Sequence, residues 1–242
     1  MPTDILQYGK KMIKRLIRLD HPRNRIQKLY EEKDYLEAYS QHTDLRVEAD
    51  YQEAVGGHWE EIGQLQFEFL LGKSLHPHHK MLDIGCGTLR GGKHFINYLH
   101  AGHYTGMDIS SKAIAYAKQC VQQGGLSEKR PHLLVSQNKD LKFREFSGST
   151  FDYILAQSVF SHLKPEYIQE CFAHIGHIMH EHSVFYCTYR HEEAYRQQGH
   201  LNFFYPFTFF ESLAAQYGFK AKDCSNEYDH PRDQRIVEVM KK

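Results

Sequence analysis

The residues best suited to chemistry lie in the segment 83–108, where two acids accompany a pair of glycines. Asp83 stands just before Gly85 and Gly87, and Asp108 follows about 20 residues later. Because glycine has no Cβ, the backbone at Gly85 and Gly87 can approach a bound molecule closely. An acid at about this distance after a glycine turn is typical of sites in which a carboxylate holds the hydroxyls of a ribose. The pattern predicts a cofactor site at the ends of two β-strands.

Two kinds of cofactor fit these glycines. Gly85, Gly87 and Gly91 form a GxGxxxG pattern, and nicotinamide-binding domains use such glycines to bring a pyrophosphate to a helix N-terminus. S-adenosylmethionine (SAM) has no pyrophosphate, but it carries a sulfonium, an amino-acid tail, a ribose and an adenine. Asp83 can meet the ammonium of that tail, directly or through water, and Asp108 can hold both ribose hydroxyls. The two acids therefore favour SAM.

Two longer motifs contain or follow these residues. The run MLDIGCGTLRGG covers residues 81–92, and FDYILAQSVFSHL covers residues 151–163. Both resemble motifs of the class I SAM-dependent methyltransferases, and the resemblance extends over roughly residues 55 to 240. Residues 57–63 and 89–92 look like a branch with a GCGxLRGG-type loop, often found in natural-product and cell-surface glycan gene clusters. The family resemblance implies cofactor-binding roles for Asp83, Gly85, Cys86, Gly87, Arg90, Asp108, Ile109, Asn138 and Gln157.

The glycine loop departs from the common family pattern at one position. A third glycine usually stands two residues after Gly87, whereas this sequence has Leu89, followed by Arg90. The planar guanidinium of Arg90 can pair in a bidentate manner with the SAM carboxylate. The alternative is a solvated arginine in the first turn of a helix, and the sequence leaves both open.

His162 is the predicted catalytic residue. It follows the predicted fourth strand, at the carboxyl edge of the sheet where ligands of such folds bind. Methyl transfer to a hydroxyl needs removal of a proton, which a histidine can accept. The alternative is that His162 packs or caps the loop.

The same segment argues against other chemistries. Enzymes that methylate amino groups of DNA bases or glutamine carry an Asx-Pro-Pro-aromatic segment where this chain has QSVF at residues 157–160. A hard divalent cation would require oxygen ligands, and no clear Asp or Asn pair occurs there. The sequence predicts a SAM-dependent methyltransferase that performs metal-free O-methylation of a small-molecule or carbohydrate-like natural-product acceptor. The alternatives are a noncatalytic SAM-binding sensor or scaffold, and a methyltransferase acting on a macromolecule.

Histidines and cysteines do not change this prediction. His174, His177, His180 and His182 have a spacing that a metal site on a helix would need, but interleaved apolar residues indicate the outer face of an amphipathic helix instead. We therefore predict no metal site. The five cysteines contain no CxxC pair, and no signal peptide or membrane span is apparent, so we expect reduced thiols and a cytoplasmic protein.

Short apolar runs alternate with helical patterns from residue 80 onward, which predicts a parallel α/β sheet. The fold class is therefore a Rossmann-like, seven-stranded methyltransferase sheet with the last strand antiparallel, flanked by helices and preceded by a helical extension. We assign residues 1–50 to that extension or lid and residues 51–242 to the SAM-dependent methyltransferase domain. The predicted strands are 81–84, 104–107, 133–135, 153–156, 184–187, 219–221 and 236–240. The predicted helices are 5–19, 26–39, 59–71, 92–99, 111–123, 165–179 and 206–217.

The sequence gives fewer indications about binding partners. The formal net charge is +0, so no nucleic acid is expected as a partner. The predicted helix 5–19 has an apolar stripe flanked by Lys and Arg, which fits either peripheral contact with an anionic membrane or docking onto the domain or a second subunit. The oligomeric state stays open. The N-terminal helices and the aromatic loop after the fifth strand, through residue 206, should form the acceptor walls.

Overall fold

The computed structural model describes the backbone of residues 22–242 and the side chains of residues 25–242. The predicted helix 5–19, with its proposed membrane contact, lies outside these residues. Eight α-helices follow in the described part of the chain: α1 (Pro22–Glu32), α2 (Tyr35–Ala49), α3 (Tyr51–Ala54), α4 (Trp59–Gly72), α5 (Gly92–Tyr98), α6 (Ser111–Gln123), α7 (Pro165–Ile175) and α8 (Phe207–Gln216). Within residues 22–242, no helix has the length and apolar character needed to span a membrane.

The described strands form one mixed sheet. They are β1 (Met81–Ile84), β2 (Tyr104–Asp108), β3 (His132–Val135), β4 (Phe151–Ala156), β5 (Met179–His191), β6 (Arg196–Gln198), β7 (Asn202–Tyr205), β8 (Phe219–Asp223) and β9 (Gln234–Lys241). The parallel series runs β3-β2-β1-β4-β5, and β9 lies antiparallel between β5 and β8. The Rossmann-like fold and the antiparallel last strand are therefore confirmed.

The sheet has nine strands in the described chain, and the prediction of seven missed two. β6 and β7 form a hairpin in the segment predicted as an aromatic loop, and β7 pairs with Arg190 and His191 at the end of β5. β6 is short, polar and exposed. The hairpin joins the sheet through β7. The long β5 extends past its last contact with β4 at Cys187 and offers a free edge to which β7 pairs.

Two predicted helices were too long. The helix predicted over 26–39 is interrupted between α1 and α2, and the one predicted over 165–179 ends at Ile175. A short 3-10 turn follows α7, and β5 already begins at Met179. His174 and His177 therefore do not share a helix face with His180 and His182. Among residues 25–242, no three His, Cys, Asp or Glu side chains are placed to hold a metal ion.

Both faces of the sheet are covered, as buried parallel strands require. Neighbouring strand residues point to opposite faces, so Ile154 packs in a core with α7 and α8, whereas Leu155 packs in a core with α4, α5 and α6. The central strands β1 and β4 are largely apolar and buried for this reason. The carboxyl ends of the parallel strands form the edge where polar residues gather.

Helix α2 is fixed to the first turn of α6. Ser40 Oγ donates to the carbonyl oxygen of Ile109 over 2.9 Å. Asp44 Oδ1 accepts from Ser110 Oγ at 2.5 Å and from the backbone N–H of Lys112 at 3.1 Å. Since the first N–H groups of a helix lack partners within the helix, Asp44 caps α6 from a different helix.

We expect Asp44→Ala to lower the free energy of unfolding by about 1–2 kcal/mol, because a charge-assisted cap and the α2 contact are both lost. Urea unfolding measures the effect. The matched control is Glu48→Ala on the same helix, whose ion pair with Lys112 spans 2.9 Å with both side chains 52% exposed. That variant should lose about 0.5 kcal/mol or less. Equal losses for the two variants would contradict a capping role for Asp44.

Candidate functional site

One cavity of about 350 Å³ lies at the carboxyl ends of the parallel strands. Its floor comes from the turn after β1 and the ends of β2 and β4, and α2 forms one wall. It is lined by nine of the ten residues predicted from the sequence: Asp83, Gly85, Cys86, Gly87, Arg90, Asp108, Ile109, Gln157 and His162.

Asn138 is the exception. Its side chain is exposed and does not line the cavity, so the cofactor-binding role predicted for it is not supported. β3 ends at Val135, and the turn that follows presents Ser136, Lys139 and Asp140 to the cavity instead. The sequence does not reveal which residues of such a turn face inward.

The glycine turn folds back onto the end of β2. Gly85 and Cys86 both donate their backbone N–H to the carbonyl oxygen of Met107, over 2.8 and 3.1 Å. Gly85 and Gly87 have φ values of 70° and 55°, in the left-handed region that glycine adopts without steric cost. A Cβ on Gly87 would lie 2.5 Å from Val55 Cγ1. Both the turn and the close approach of the 55–57 segment therefore require glycine.

Leu89 occupies the position of the usual third glycine and keeps a glycine-like backbone. Its φ is 71°, a conformation that costs a non-glycine residue of order 1 kcal/mol or more. Its side chain is 1% exposed and packs with the core around α4, α5 and α6. Burial of the leucine side chain offsets the strain, so the departure from the family pattern preserves the loop.

The two acids of the site are buried carboxylates. Asp83 Oδ2 accepts from Tyr104 Oη at 2.7 Å. Asp108 accepts from the backbone N–H of Gly87 at 2.9 Å and from that of Ser110 at 2.8 Å. Burial raises the pKa of Asp83 to about 7 and that of Asp108 to about 6. A ligand that brings positive charge or hydroxyl donors would stabilise their ionised forms.

Arg90 is not solvated, so that alternative was wrong. The residue is 6% exposed, and its Nη1 donates to the carbonyl oxygens of Val55 and Gly57 over 2.7 and 2.9 Å. Through these two hydrogen bonds Arg90 holds the segment 55–57 at the cavity. Its Nε is buried without a partner among the described residues, and burial lowers the pKa of Arg90 to about 10. One N–H of the guanidinium is therefore left for an acceptor oxygen.

Gln157 lines the cavity, but its side-chain amide is hydrogen-bonded to other residues of the chain. Oε1 accepts from Tyr228 Oη at 2.6 Å, and Nε2 lies 3.1 Å from both Ser158 Oγ and His230 Nε2. Gln157 therefore ties the end of β4 to the connection between β8 and β9. His230 of that connection and Gln234, the first residue of β9, also line the cavity. No motif surrounds them, and the sequence did not indicate them.

His162 lies in a 3-10 turn after β4, with its tautomer set by its surroundings. Nδ1 is 2.6 Å from the carbonyl oxygen of Leu201, which can only accept, so Nδ1 carries the proton and Nε2 is left as an acceptor. The ring stacks with Tyr39 at a centroid distance of 6.0 Å. Burial lowers the pKa of His162 to about 4. The imidazole is therefore neutral near pH 7, with the Nε2 lone pair unprotonated.

The other end of the cavity is built by distant parts of the chain. The segments expected to form acceptor walls line this end: α2 and the segment from the end of β5 to β7 contribute Leu36, Tyr39, Thr43, Arg46, Arg190, Leu201 and Asn202. Tyr35 of α2 donates through Oη to the carbonyl oxygen of His162 over 2.6 Å. Helix α2 thus supports the turn that carries His162.

Comparison with known proteins agrees with this geometry. The sequence model of a family described as "Methyltransferase domain" matches residues 82–185. Among solved structures, magnesium protoporphyrin IX methyltransferase from Synechocystis with bound SAM is 16% identical, with a TM-score of 0.62 and coverage of 87% of this chain and 98% of that chain. The Haemonchus contortus phosphoethanolamine N-methyltransferase 2 is 15% identical, with a TM-score of 0.65 and coverage of 87% and 61%. The [4+2]-cyclase SpnF is 15% identical, with a TM-score of 0.63 and coverage of 86% and 97%.

These identities establish the fold rather than an acceptor. The family match spans β1 to the middle of β5 and includes both acids, the glycine turn and His162. The chain therefore has the Rossmann-like fold of the methyltransferases to which it is similar, and residues 82–185 match the methyltransferase-domain model.

Proposed function

We propose that the protein binds SAM in this cavity and, without a metal ion, transfers its methyl group to an oxygen of a small-molecule or carbohydrate-like acceptor. One observation carries the proposal: the glycine turn, two buried carboxylates and a neutral histidine share one cavity of about 350 Å³. Pockets for small molecules and cofactors commonly have volumes of about 300–1,000 Å³.

The residues present fit SAM. Gly85 and Gly87 leave the backbone open to a ligand, and Asp83 is placed to receive its ammonium. Asp108 accepts N–H groups of the chain on each oxygen and retains lone pairs for ribose hydroxyls. The buried Nε of Arg90 supplies a donor for the carboxylate. SAM itself supplies a methyl group made electrophilic by the positive sulfur.

His162 acts on the acceptor in this proposal. The bond from Nδ1 to Leu201 holds the ring in one orientation, and Nε2 takes the proton of the acceptor hydroxyl. Tyr35 and Tyr39 hold the backbone and the ring of His162, so the base is positioned before the acceptor arrives. The rest of the cavity wall excludes water and aligns the acceptor with the methyl group.

Helix α2, which belongs to the extension assigned to residues 1–50, acts as a lid in this proposal. Leu36, Tyr39, Thr43 and Arg46 line the cavity, and the links to Ile109 and Ser110 hold the helix over it. Helix α2 therefore completes the acceptor wall of the domain at residues 51–242.

Oxygen is the proposed target because of the residues after β4. A neutral imidazole suits a hydroxyl that must lose a proton, and QSVF at residues 157–160 differs from the Asx-Pro-Pro-aromatic segment of amino-group methyltransferases of DNA bases and glutamine. The relatives named above range from a porphyrin methyltransferase to a phosphoethanolamine N-methyltransferase and a cyclase. The acceptor must therefore be inferred from the cavity.

Two substitutions separate binding from turnover. Asp108→Ala should weaken SAM binding about tenfold or more, since a charge-assisted contact contributes about 1.5–3 kcal/mol. His162→Ala should leave SAM affinity nearly intact and lower turnover by about 100-fold or more. Calorimetry with SAM and single-turnover assays with an accepted substrate measure the two effects.

The outcomes discriminate between roles. Equal losses of SAM affinity in both variants would show that His162 is structural. Absence of SAM binding by a folded wild-type protein would overturn the proposal. Tight SAM binding without turnover across broad acceptor panels would instead indicate a noncatalytic SAM-binding protein.

SAM affinity should fall as the pH is lowered from about 7.5 to about 5.5, by about tenfold or more. Burial raises the pKa values of Asp83 and Asp108 to about 7 and about 6, so both carboxylates lose their charge in this range and attract the cation less. Binding should correspondingly release protons, which calorimetry in buffers of different ionisation enthalpy detects. Asp83→Asn should bind more weakly, with a shallower pH dependence. An affinity that stays constant or rises toward pH 5.5 would contradict this assignment.

A further inference from the structure

Besides Arg90, three arginines line the cavity without a carboxylate partner. Arg46 lies on α2, Arg190 near the end of β5, and Arg232 in the connection before β9. Within residues 25–242, the arginines that form ion pairs with Asp or Glu are Arg144, Arg196 and Arg235, so none of these three does. The cavity therefore contains guanidinium charges that the described chain does not neutralise by pairing.

The carboxylates of the cavity are already engaged elsewhere. Each accepts hydrogen bonds or forms an ion pair with a different group: Asp83 with Tyr104, Asp108 with Gly87 and Ser110, Asp140 with Arg144, and Glu170 with Leu141 and Lys142. Lys139 also lines the cavity but is paired with Glu37. None of these carboxylates forms an ion pair with Arg46, Arg190 or Arg232, so the charges of these arginines are not balanced by pairing within the cavity.

Arg190 is the most constrained of the three. It is half-buried, and its Nε is buried without a hydrogen-bond partner among the described residues. Its guanidinium carbon lies 5.7 Å from the ring centroid of Phe204. A buried donor without a partner costs free energy, and an oxyanion bound to the guanidinium removes that cost.

Arg46 and Arg190 line the same cavity as His162. Arg46 is on the same helix as Tyr39, about two turns away, and Tyr39 stacks on His162. Burial is the main cause of the low pKa of His162, and the positive charges of Arg190 and Arg46 lower it further. The arginines therefore share one cavity with the group proposed to receive the acceptor's proton.

We propose that the acceptor carries an anionic oxygen group, a carboxylate or a phosphate, which binds between Arg190 and Arg46 beside His162. Guanidinium groups suit such anions because their planar N–H donors match the geometry of carboxylate and phosphate oxygens. Arg232, exposed at the cavity rim, adds to the attraction of an incoming anion. The inference rests on the proposed function, since it assigns the acceptor half of the same cavity.

Anion binding to the protein saturated with S-adenosylhomocysteine (SAH), the demethylated product of SAM, tests the proposal. SAH occupies the cofactor half with its own carboxylate, so anions added afterwards report on the acceptor half. Inorganic phosphate and benzoate are titrated separately by calorimetry into the wild type and the variants. Wild type should bind at least one of them, and Arg190→Gln should weaken that binding about tenfold or more. Arg46→Gln is a second variant and should act in the same direction.

The matched control is Arg196→Gln. Arg196 also lies over the Phe204 ring, at 4.0 Å, but it pairs with Glu192 and does not line the cavity. This variant should bind the anion as wild type does. SAH affinity is measured in every variant, and it should remain unchanged if the arginines serve the acceptor.

Each outcome of this experiment supports or overturns the proposed anion site. Binding of phosphate alone or benzoate alone supports the proposal and identifies the anion class. Binding of neither to the SAH-loaded wild type, or equal binding by wild type and both cavity variants, overturns it while leaving SAM binding intact. A parallel loss of SAH affinity in Arg190→Gln and Arg46→Gln would assign these arginines to the cofactor and also overturn it. Failure of wild type to bind SAH would instead count against the proposed function.

Discussion

The bond between the Asp108 carboxylate and the glycine turn is the interaction on which the rest of the site depends. One oxygen of Asp108 accepts the N–H of Gly87 and the other accepts that of Ser110, so one side chain joins the ends of two adjacent strands and the start of α6. The same region receives Asp44 and Ser40 from α2. The cofactor floor and the acceptor wall are therefore anchored to one point of the sheet.

This anchoring places two carboxylates in a part of the cavity with little access to water. Asp83 and Asp108 are both buried at the floor, and each has a raised pKa because burial disfavours the ionised form. Their hydrogen bonds to Tyr104, Gly87 and Ser110 offset only part of that cost. A cationic ligand with hydroxyl donors would offset the rest of the cost of ionising these two carboxylates. Recognition of such a ligand therefore depends on whether Asp83 and Asp108 are protonated.

The proposed acceptor half of the cavity carries the opposite charge. Its cations come from helix α2, from the end of β5 and from the connection before β9, while its carboxylates are bound elsewhere. A neutral His162 lies beside them, held by Leu201 and Tyr39. One cavity thus combines an acidic floor, suited to a cation, with a basic wall, suited to an anion.

The sequence by itself determined the parts that depend on local pattern. The strands and the glycine turn were predictable because buried parallel strands are short apolar runs and because Gly85 and Gly87 adopt positive φ. Asp83 and Asp108 lie near the carboxyl ends of β1 and β2, and His162 follows β4, so the sheet topology brings them to one edge. Only the tertiary structure decided the burial of Arg90, the internal use of the Gln157 amide, the exposure of Asn138 and the β6–β7 hairpin. These features depend on contacts between residues far apart in the chain, such as Arg90 with Val55 and Gln157 with Tyr228, and no local periodicity records such contacts.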